Sequence, residues 1–471
     1  MALSGTHLFF LLLTVGLVLG VGLRAARQVK SAEGYSLGGR SAGAMMVAGS
    51  IAGTVVGGGA TVGTAQLAYS VGLSAWWFTL GSGIAFLLMG FFYARPLRAA
   101  GLTTIPEVLA AHYGKRAGTA ASIVASAGIL LSAVASSLPG IGILSAVLRI
   151  EPWSAAGVLL LLTILYTFFG GMKSAGVGGL LKMGIIWVSL LLAGVAAYGA
   201  LPSGAAFGEV FPPLPWQSLF GGGVSAALAN LFALIVGVLC TQTYIQAVFS
   251  ASSPGTAAAG AFTAALIVIP VGLPSVAVGL YMRLYQPDTM PLLVLPTFFA
   301  QHLPEWLGGV ALGGILLSLV GSIGGLSLGI GTMLTHDILA PRLDLRDPWA
   351  MLRLSRGVVL AVMALAAFIA IRHLHSEVLM WNYLSMALRG GGIFLPLSLA
   401  VFCPRHVAPR WGLASMVLST AAAVVFSLWP LSSIQPLFVG LLVSAGVLAV
   451  GALRQRGAVP SERAEEKNPM A

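Results

Sequence analysis

Charge is what this chain has least of. Only 8% of its 471 residues are Asp, Glu, Lys or Arg, while 58% are hydrophobic; a soluble protein carries about 25% charged residues. Folding alone cannot hide that much apolar surface from water. At about 20 residues per crossing it is material for a dozen or more transmembrane helices. A soluble enzyme, a fibrous protein and a disordered chain are excluded. Cysteine is nearly missing too. Cys240 and Cys403 lie in or beside apolar stretches, which excludes a disulfide framework and reads as two buried, inert thiols. All thirteen acidic residues fall in loops, tails or span ends, so carboxylate proton relays and intramembrane aspartyl proteases drop out. HExxH is absent, and the outer-loop pair His373 and His375 offers two ligands where a closed metal site needs four. No GxxxxGK(S/T) phosphate loop occurs, and no polar segment between apolar runs is long enough for a catalytic domain. No enzyme, no cofactor and no metal other than a coupling ion are expected.

The apolar stretches number thirteen, at about 7–24, 40–64, 73–94, 117–147, 153–169, 178–199, 223–246, 257–281, 307–335, 355–373, 378–403, 411–430 and 436–453. The first has no basic residue ahead of it and Arg24, Arg27 and Lys30 behind it. That is the reverse of a signal peptide, so it reads as an uncleaved helix with its N-terminus outside. In this registration twenty Lys and Arg fall on the cytoplasmic side, three (Arg149, Arg283 and Arg372) outside, and Arg389 within a span. The positive-inside bias accounts for the net charge of +11 without any nucleic acid. The expected location is a cell membrane, crossed many times, with the C-terminus cytoplasmic; the bilayer is the expected environment, and no obligate protein partner is evident. The segment RAAGLTTIPEVLAAHYGKR (98–116) reads as a short amphipathic helix lying on the membrane face, with Pro106 in its first turn.

Glycine is abundant where a helix would least want it. The second span holds Gly53, Gly57, Gly58 and Gly59 within seven residues, each costing about 1 kcal/mol of helix propensity relative to alanine. Two readings stand: an unwound stretch at membrane depth, whose carbonyls must line a protein cavity, or close helix packing through small residues such as Gly53 and Gly57. Free carbonyls with nearby hydroxyls suit a hard monovalent cation when no carboxylate is on offer. The ninth span, GGILLSLVGSIGGLSLGIGTMLTHDIL, supplies such hydroxyls at Ser318, Ser322 and Ser327. Ser318 and Ser322 stand four apart and so share a face. A serine bonded back onto its own helix is the plain alternative.

The landmarks GYSLGGRS (34–41), AYSVGLSAWW (68–77), TIPEVLAAHYG (104–114), YTFFGGMKSAG (166–176), YIQAVFSAS (244–252), LVLPTFFAQHLPEWLGGV (293–310) and THDILAP (335–341) occur in this order along thirteen spans. From about Gly34 to Pro404 the chain resembles the sodium:solute symporters, which have the LeuT-type fold. The resemblance implies an all-α polytopic membrane protein with a 5+5 inverted repeat and extra terminal helices. The expected parts are a peripheral helix and loop (1–39), a first repeat (40–200), an outer loop and second repeat (201–403), two C-terminal helices (404–453) and a tail (454–471). Each repeat would open with a helix interrupted near the midplane, where solute and ion bind. By family position, sodium would take backbone oxygens near Gly53 and Val56 and oxygens from Ser318, Gly321 and Ser322. Two departures stand out. Gly321-Ser322 replaces two hydroxyl residues, and Gly179 and Lys182 stand where the family shows an Asp and a Gln. Without that Asp a second sodium is not expected.

The resemblance implies sodium-coupled symport of a small organic solute (a sugar, amino acid, carboxylate or vitamin) by alternating access. The alternative is a same-fold proton-coupled or uncoupled transporter or sensor in which the Lys182 ammonium replaces sodium. Against that stands Lys182 as a lysine at a cytoplasmic helix end, snorkelling to the interface. Depth and polarity nominate Ala60, Thr61, Gln66, Trp76, Trp77, Asn230 and Asn382 for the solute pocket, the tryptophans doubling as lipid-interface residues.

Overall fold

The computed structural model describes residues 3–26, 32–168, 171–404, 406–428 and 435–457. Arg27, Lys30, Arg405, Arg463 and Lys467, used above in the charge count, lie outside them, as does most of the 454–471 tail. Among the described residues the structure is helical, with one isolated parallel bridge between Ala42 and Ala251. The helices that carry the architecture are α1 (Gly5–Ala26), α2 (Ala44–Val55), α3 (Thr64–Val71), α4 (Trp77–Leu88), α5 (Ile105–Tyr113), α6 (Lys115–Leu148), α7 (Pro152–Thr163), α8 (Gly171–Ala200), α9 (Val224–Leu239), α10 (Gln242–Ser250), α11 (Pro254–Tyr285), α12 (Glu305–Met333), α13 (Pro348–Arg372), α14 (Val378–Phe402), α15 (Pro409–Leu428) and α16 (Pro436–Gly457). Ten helices among the described residues are long and apolar enough to cross a bilayer, and eleven if the bent pair α9–α10 is one crossing. The chain is a multi-pass membrane protein.

Lipid offers no partner to a backbone amide, so apolar runs must satisfy their hydrogen bonds internally, as helices do. Helix starts are set by polar caps. Thr104 Oγ1 accepts from Glu107 N, Ser253 Oγ from Thr256 N and Asp347 Oδ2 from Ala350 N, each with a proline in the first turn that follows. α12 is the central helix: its most apolar stretch is 94% buried, against 28% for α15 and for α16. It contacts α1, α6, α8 and α13. α1 comes close to α12 because Gly309 and Gly313 present no side chain to His7 and Thr14.

Two helices are interrupted. α2 stops at Val55; Val56 leaves the helix with ψ 68°, and Gly57 N bonds Val55 O, not a carbonyl four residues back. A wide turn over Gly59–Gly63 then leads into α3. α9 and α10 meet at a 46° bend, with Cys240 and Thr241 outside both helices.

Three boundaries correct the sequence expectations. The second span does not end near residue 64 but runs on through α3 to Val71, because Gln66 and Tyr69, which lower its hydropathy, find partners in Val378 N and Pro287 O. Gly72, with φ 71°, ends it. α8 begins at Gly171, seven residues ahead of the expected start, so Lys182 lies well inside the helix. The 98–116 segment is not one helix: residues 100–104 and Gly114 interrupt it. Its helical part, α5, buries Ile105, Leu109 and Tyr113 against α6 and α14.

Candidate functional site

Gly57 and Gly58 let α12 approach the first break without hindrance. A Cβ on Gly57 would collide with Ser322 Oγ, and one on Gly58 would lie 3.0 Å from Ala135 O on α6 and 3.2 Å from Leu319 Cδ2. Both readings of the glycine cluster therefore hold: the helix unwinds, and the glycines pack. Ser318 Oγ donates to Val56 O and Ser322 Oγ donates to Thr54 O. Both serines reach across to α2 instead of bonding back onto their own helix, and both are buried. Gly53 lies against Gly179 on α8, and a Cβ there would stand 3.4 Å from Lys182 Cε. Gly321 presents its bare face to Lys182 Nζ. Gly53, Val56, Ser318, Gly321 and Ser322 thus surround one place.

Lys182 enters that place. Its Nζ donates to Ser318 O at 3.2 Å, and the residue is 1% exposed. The snorkelling expectation fails: with α8 starting at Gly171, the lysine stands about 16 Å along the helix, and its side chain turns inward to Ser318 O instead of outward along the helix surface. Among the described residues no carboxylate is hydrogen-bonded to or paired with Lys182.

The solute candidates divide. Ala60 and Thr61 are fully buried at the wide turn, with Thr61 Oγ1 donating to Gly57 O at 2.8 Å. Gln66 Oε1 accepts from Val378 N at 3.1 Å. Asn382 Nδ2 donates to Val378 O at 3.3 Å and lies beside Gly59, together with the ring of Phe78. Ala60, Thr61, Gln66 and Asn382 thus gather where the first break meets α14. The tryptophans diverge: Trp76 Nε1 donates to Ile269 O on α11 at 2.8 Å, and Trp77 Nε1 to Leu219 O in the loop between α8 and α9 at 2.7 Å. Asn230 sits half-buried on α9, and no recorded hydrogen bond joins it to the cluster. Phe78, Ser132, Ser385 and Arg389 were missed by sequence reasoning. The signal for Arg389 was present: an ionisable residue within a span is a functional pointer by default.

Beyond the second break, α10 is tied down by buried polar groups. Gln242 accepts from Ile105 N at 2.8 Å and donates to Thr103 O at 3.1 Å. Thr243 Oγ1 donates to Gly325 O at 3.1 Å and Gln246 Nε2 to Thr332 Oγ1 at 3.1 Å. Asp337, five residues beyond Thr332, accepts from Thr104 Oγ1 at 3.0 Å.

Residues 35–418 match the sodium:solute symporter family. The chain belongs to that family. Its curated relatives include the high affinity choline transporter 1 of Mus musculus, 28% identical over 286 residues (58% of this chain and 48% of the relative). That of Torpedo marmorata is 30% identical over 280 residues (56% and 48%), and that of Caenorhabditis elegans 23% over 398 (76% and 67%). This chain spans about half the length of the vertebrate relatives it matches. Among solved structures, a Na+-coupled sialic acid symporter superposes with a TM-score of 0.80 at 18% identity, covering 97% of this chain and 98% of that one. A nucleobase-cation-symport-1 family transporter in a closed conformation superposes with 0.60 at 11% identity, covering 89% and 94%. These likenesses show a shared transporter fold for this symporter-family member.

Proposed function

We propose that this protein is a secondary active transporter that moves a small organic solute by alternating access, with sodium as the coupling ion, and is not an enzyme. The observation that carries this reading is the approach of Ser318 and Ser322 to the carbonyls of Val56 and Thr54 at the first helix break. These are hard oxygens in the number and kind a monovalent cation needs. Sodium bound there bridges α2 and α12, and solute bound at Ala60, Thr61, Gln66 and Asn382 bridges the same break to α14. Each ligand then orders what the other needs, which is all that coupling requires. The relatives' names span choline and sialic acid, so they leave the solute class open. The short apolar helices Ala44–Val55 and Pro152–Thr167 complete a count of thirteen crossings in this reading. Residues 40–200 and 201–403 then form the two inverted halves, with the N-terminus outside and the cell membrane as location. Uptake into proteoliposomes, with and without an inward sodium gradient, tests the function; solute entry indifferent to every imposed cation gradient would refute it.

A second reading has its own observation, the Lys182 ammonium on Ser318 O. In that reading Lys182 is the resident cation, and coupling is to protons or absent. A protonated Lys182 and a sodium ion cannot share one carbonyl cage, so the sodium and pH dependence of uptake separates the two.

A further inference from the structure

Arg389 is a second cation in the membrane interior, and the cage around Lys182 does not use it. It stands midway along α14 and is 1% exposed. Its Nε donates to Gly237 O, the end of α9, at 3.1 Å. Its Nη1 donates to Ser385 Oγ at 2.5 Å and to Ser132 Oγ at 3.4 Å. Nη2 makes no hydrogen bond among the described residues. Every side chain recorded near the guanidinium is uncharged: Ser132 on α6, Ser385 on α14, and Cys240 and Tyr244 at the second break. Ser385 in turn donates to Gly128 O, which fixes α14 on α6. A guanidinium buried without an anion is costly and is normally balanced by one. Here no acidic residue of the described chain balances it.

Its place gives the missing anion a meaning. On α14, Ser385 lies one turn and Asn382 two turns away from Arg389 on the same face. Asn382 borders Gly59 at the first break, and Gly237 lies in the last turn of α9 before the second. The first break rests on Ala135 and Ser136 of α6, one turn from Ser132. Arg389 therefore stands between the two breaks, bonded to α9 at the second and two turns along α14 from Asn382 at the first. A fixed cation there repels a quaternary ammonium. Its Nη2, whose two N–H groups are unused, is a charged donor that can bond a carboxylate oxygen.

We propose that the transported solute carries a carboxylate and that Arg389 receives it. The proposal rests on the transporter reading above for its biological meaning, but binding can be measured without transport. The purified full chain is titrated at constant ionic strength with acetate, with its neutral isostere acetamide, with chloride and with choline, following the thermal unfolding midpoint. Acetate should raise the midpoint saturably and acetamide should not. Arg389→Gln should abolish the acetate effect. Arg389→Lys, which keeps the charge and loses the Nη2 donor held in place by the bonds to Gly237, Ser385 and Ser132, should weaken apparent acetate affinity about 10–100-fold and remains informative if the glutamine variant does not fold. A role confined to holding α9 and α14 together would leave the acetate–acetamide difference untouched in the lysine variant, and that result overturns the proposal. So does a missing acetate effect, an equal effect of acetamide, saturation by chloride at the same site with the same affinity (an inorganic-anion site), or stabilisation by choline alone. Acetate binding without gradient-driven uptake of any carboxylate would refute the transporter reading and leave the Arg389 site. Cation-driven uptake of a neutral solute with no acetate effect would do the reverse.

Discussion

Replacing Lys182 by glutamine takes one charge out of the proposed cation site while keeping a polar side chain one atom shorter in the same slot. In the wild type the ammonium is buried between Gly53 and Gly321 and donates to Ser318 O at 3.2 Å. A hydrogen bond from a charged donor is worth about 1.5–3 kcal/mol, and a sodium ion reaching that carbonyl must first break it. At about 1.4 kcal/mol per tenfold, apparent sodium affinity should rise about 10–100-fold in Lys182→Gln. Thermal unfolding of the purified protein, titrated with sodium against potassium at constant ionic strength, reads that affinity directly. Uptake measured across sodium concentration and pH gives the functional counterpart. If Lys182 is the resident cation, wild-type uptake depends little on sodium and varies with pH, and the glutamine variant gains a sodium requirement and loses the pH dependence. A saturable sodium requirement in the wild type, unchanged in the variant, would refute the reasoning: the lysine would then be a packing residue beside the cage and not a competitor within it.

Ser322→Ala removes the one hydroxyl that spans from α12 to Thr54 O and the only hydroxyl of the Gly321-Ser322 pair; sodium-driven uptake should fall steeply with expression near normal, and an unchanged apparent sodium affinity would move the site elsewhere. Gly57→Ala places a methyl group on Ser322 Oγ, an overpacking cost of about 1–3 kcal/mol. Its thermal stability should drop, and the double variant Gly57→Ala with Ser322→Ala should recover part of the loss, whereas no recovery would assign the cost to backbone geometry alone. A reporter active only in the cytoplasm should work when fused after Arg456 and fail at the N-terminus; activity at both ends would contradict an odd number of crossings.

The membrane class, the positions of the apolar helices and the family were all legible before any coordinate was known, because each rests on local composition. A run of apolar residues has few ways to satisfy its backbone in lipid, so Gly5–Ala26, Lys115–Leu148 or Pro254–Tyr285 announces itself. The pairing of Gly57 with Ser322 was half legible: glycines at 53–59 and serines at 318 and 322 state what each helix lacks or offers. Their meeting across 262 or more residues of chain is a property of packing. Lys182 shows the limit most plainly. Hydropathy started its helix too late, because the glycine-rich stretch before it is apolar only in part, and a lysine placed at a helix end reads as an interface residue. Only the tertiary structure sets it against two glycines and a serine carbonyl, where its charge has nowhere else to go. The same holds for Arg389: the sequence marks a cation within a span, but the fold decides that its neighbours are two serines, a helix end and no carboxylate. Burial cost depends on what surrounds a charge, and those surroundings come from helices far apart in the chain.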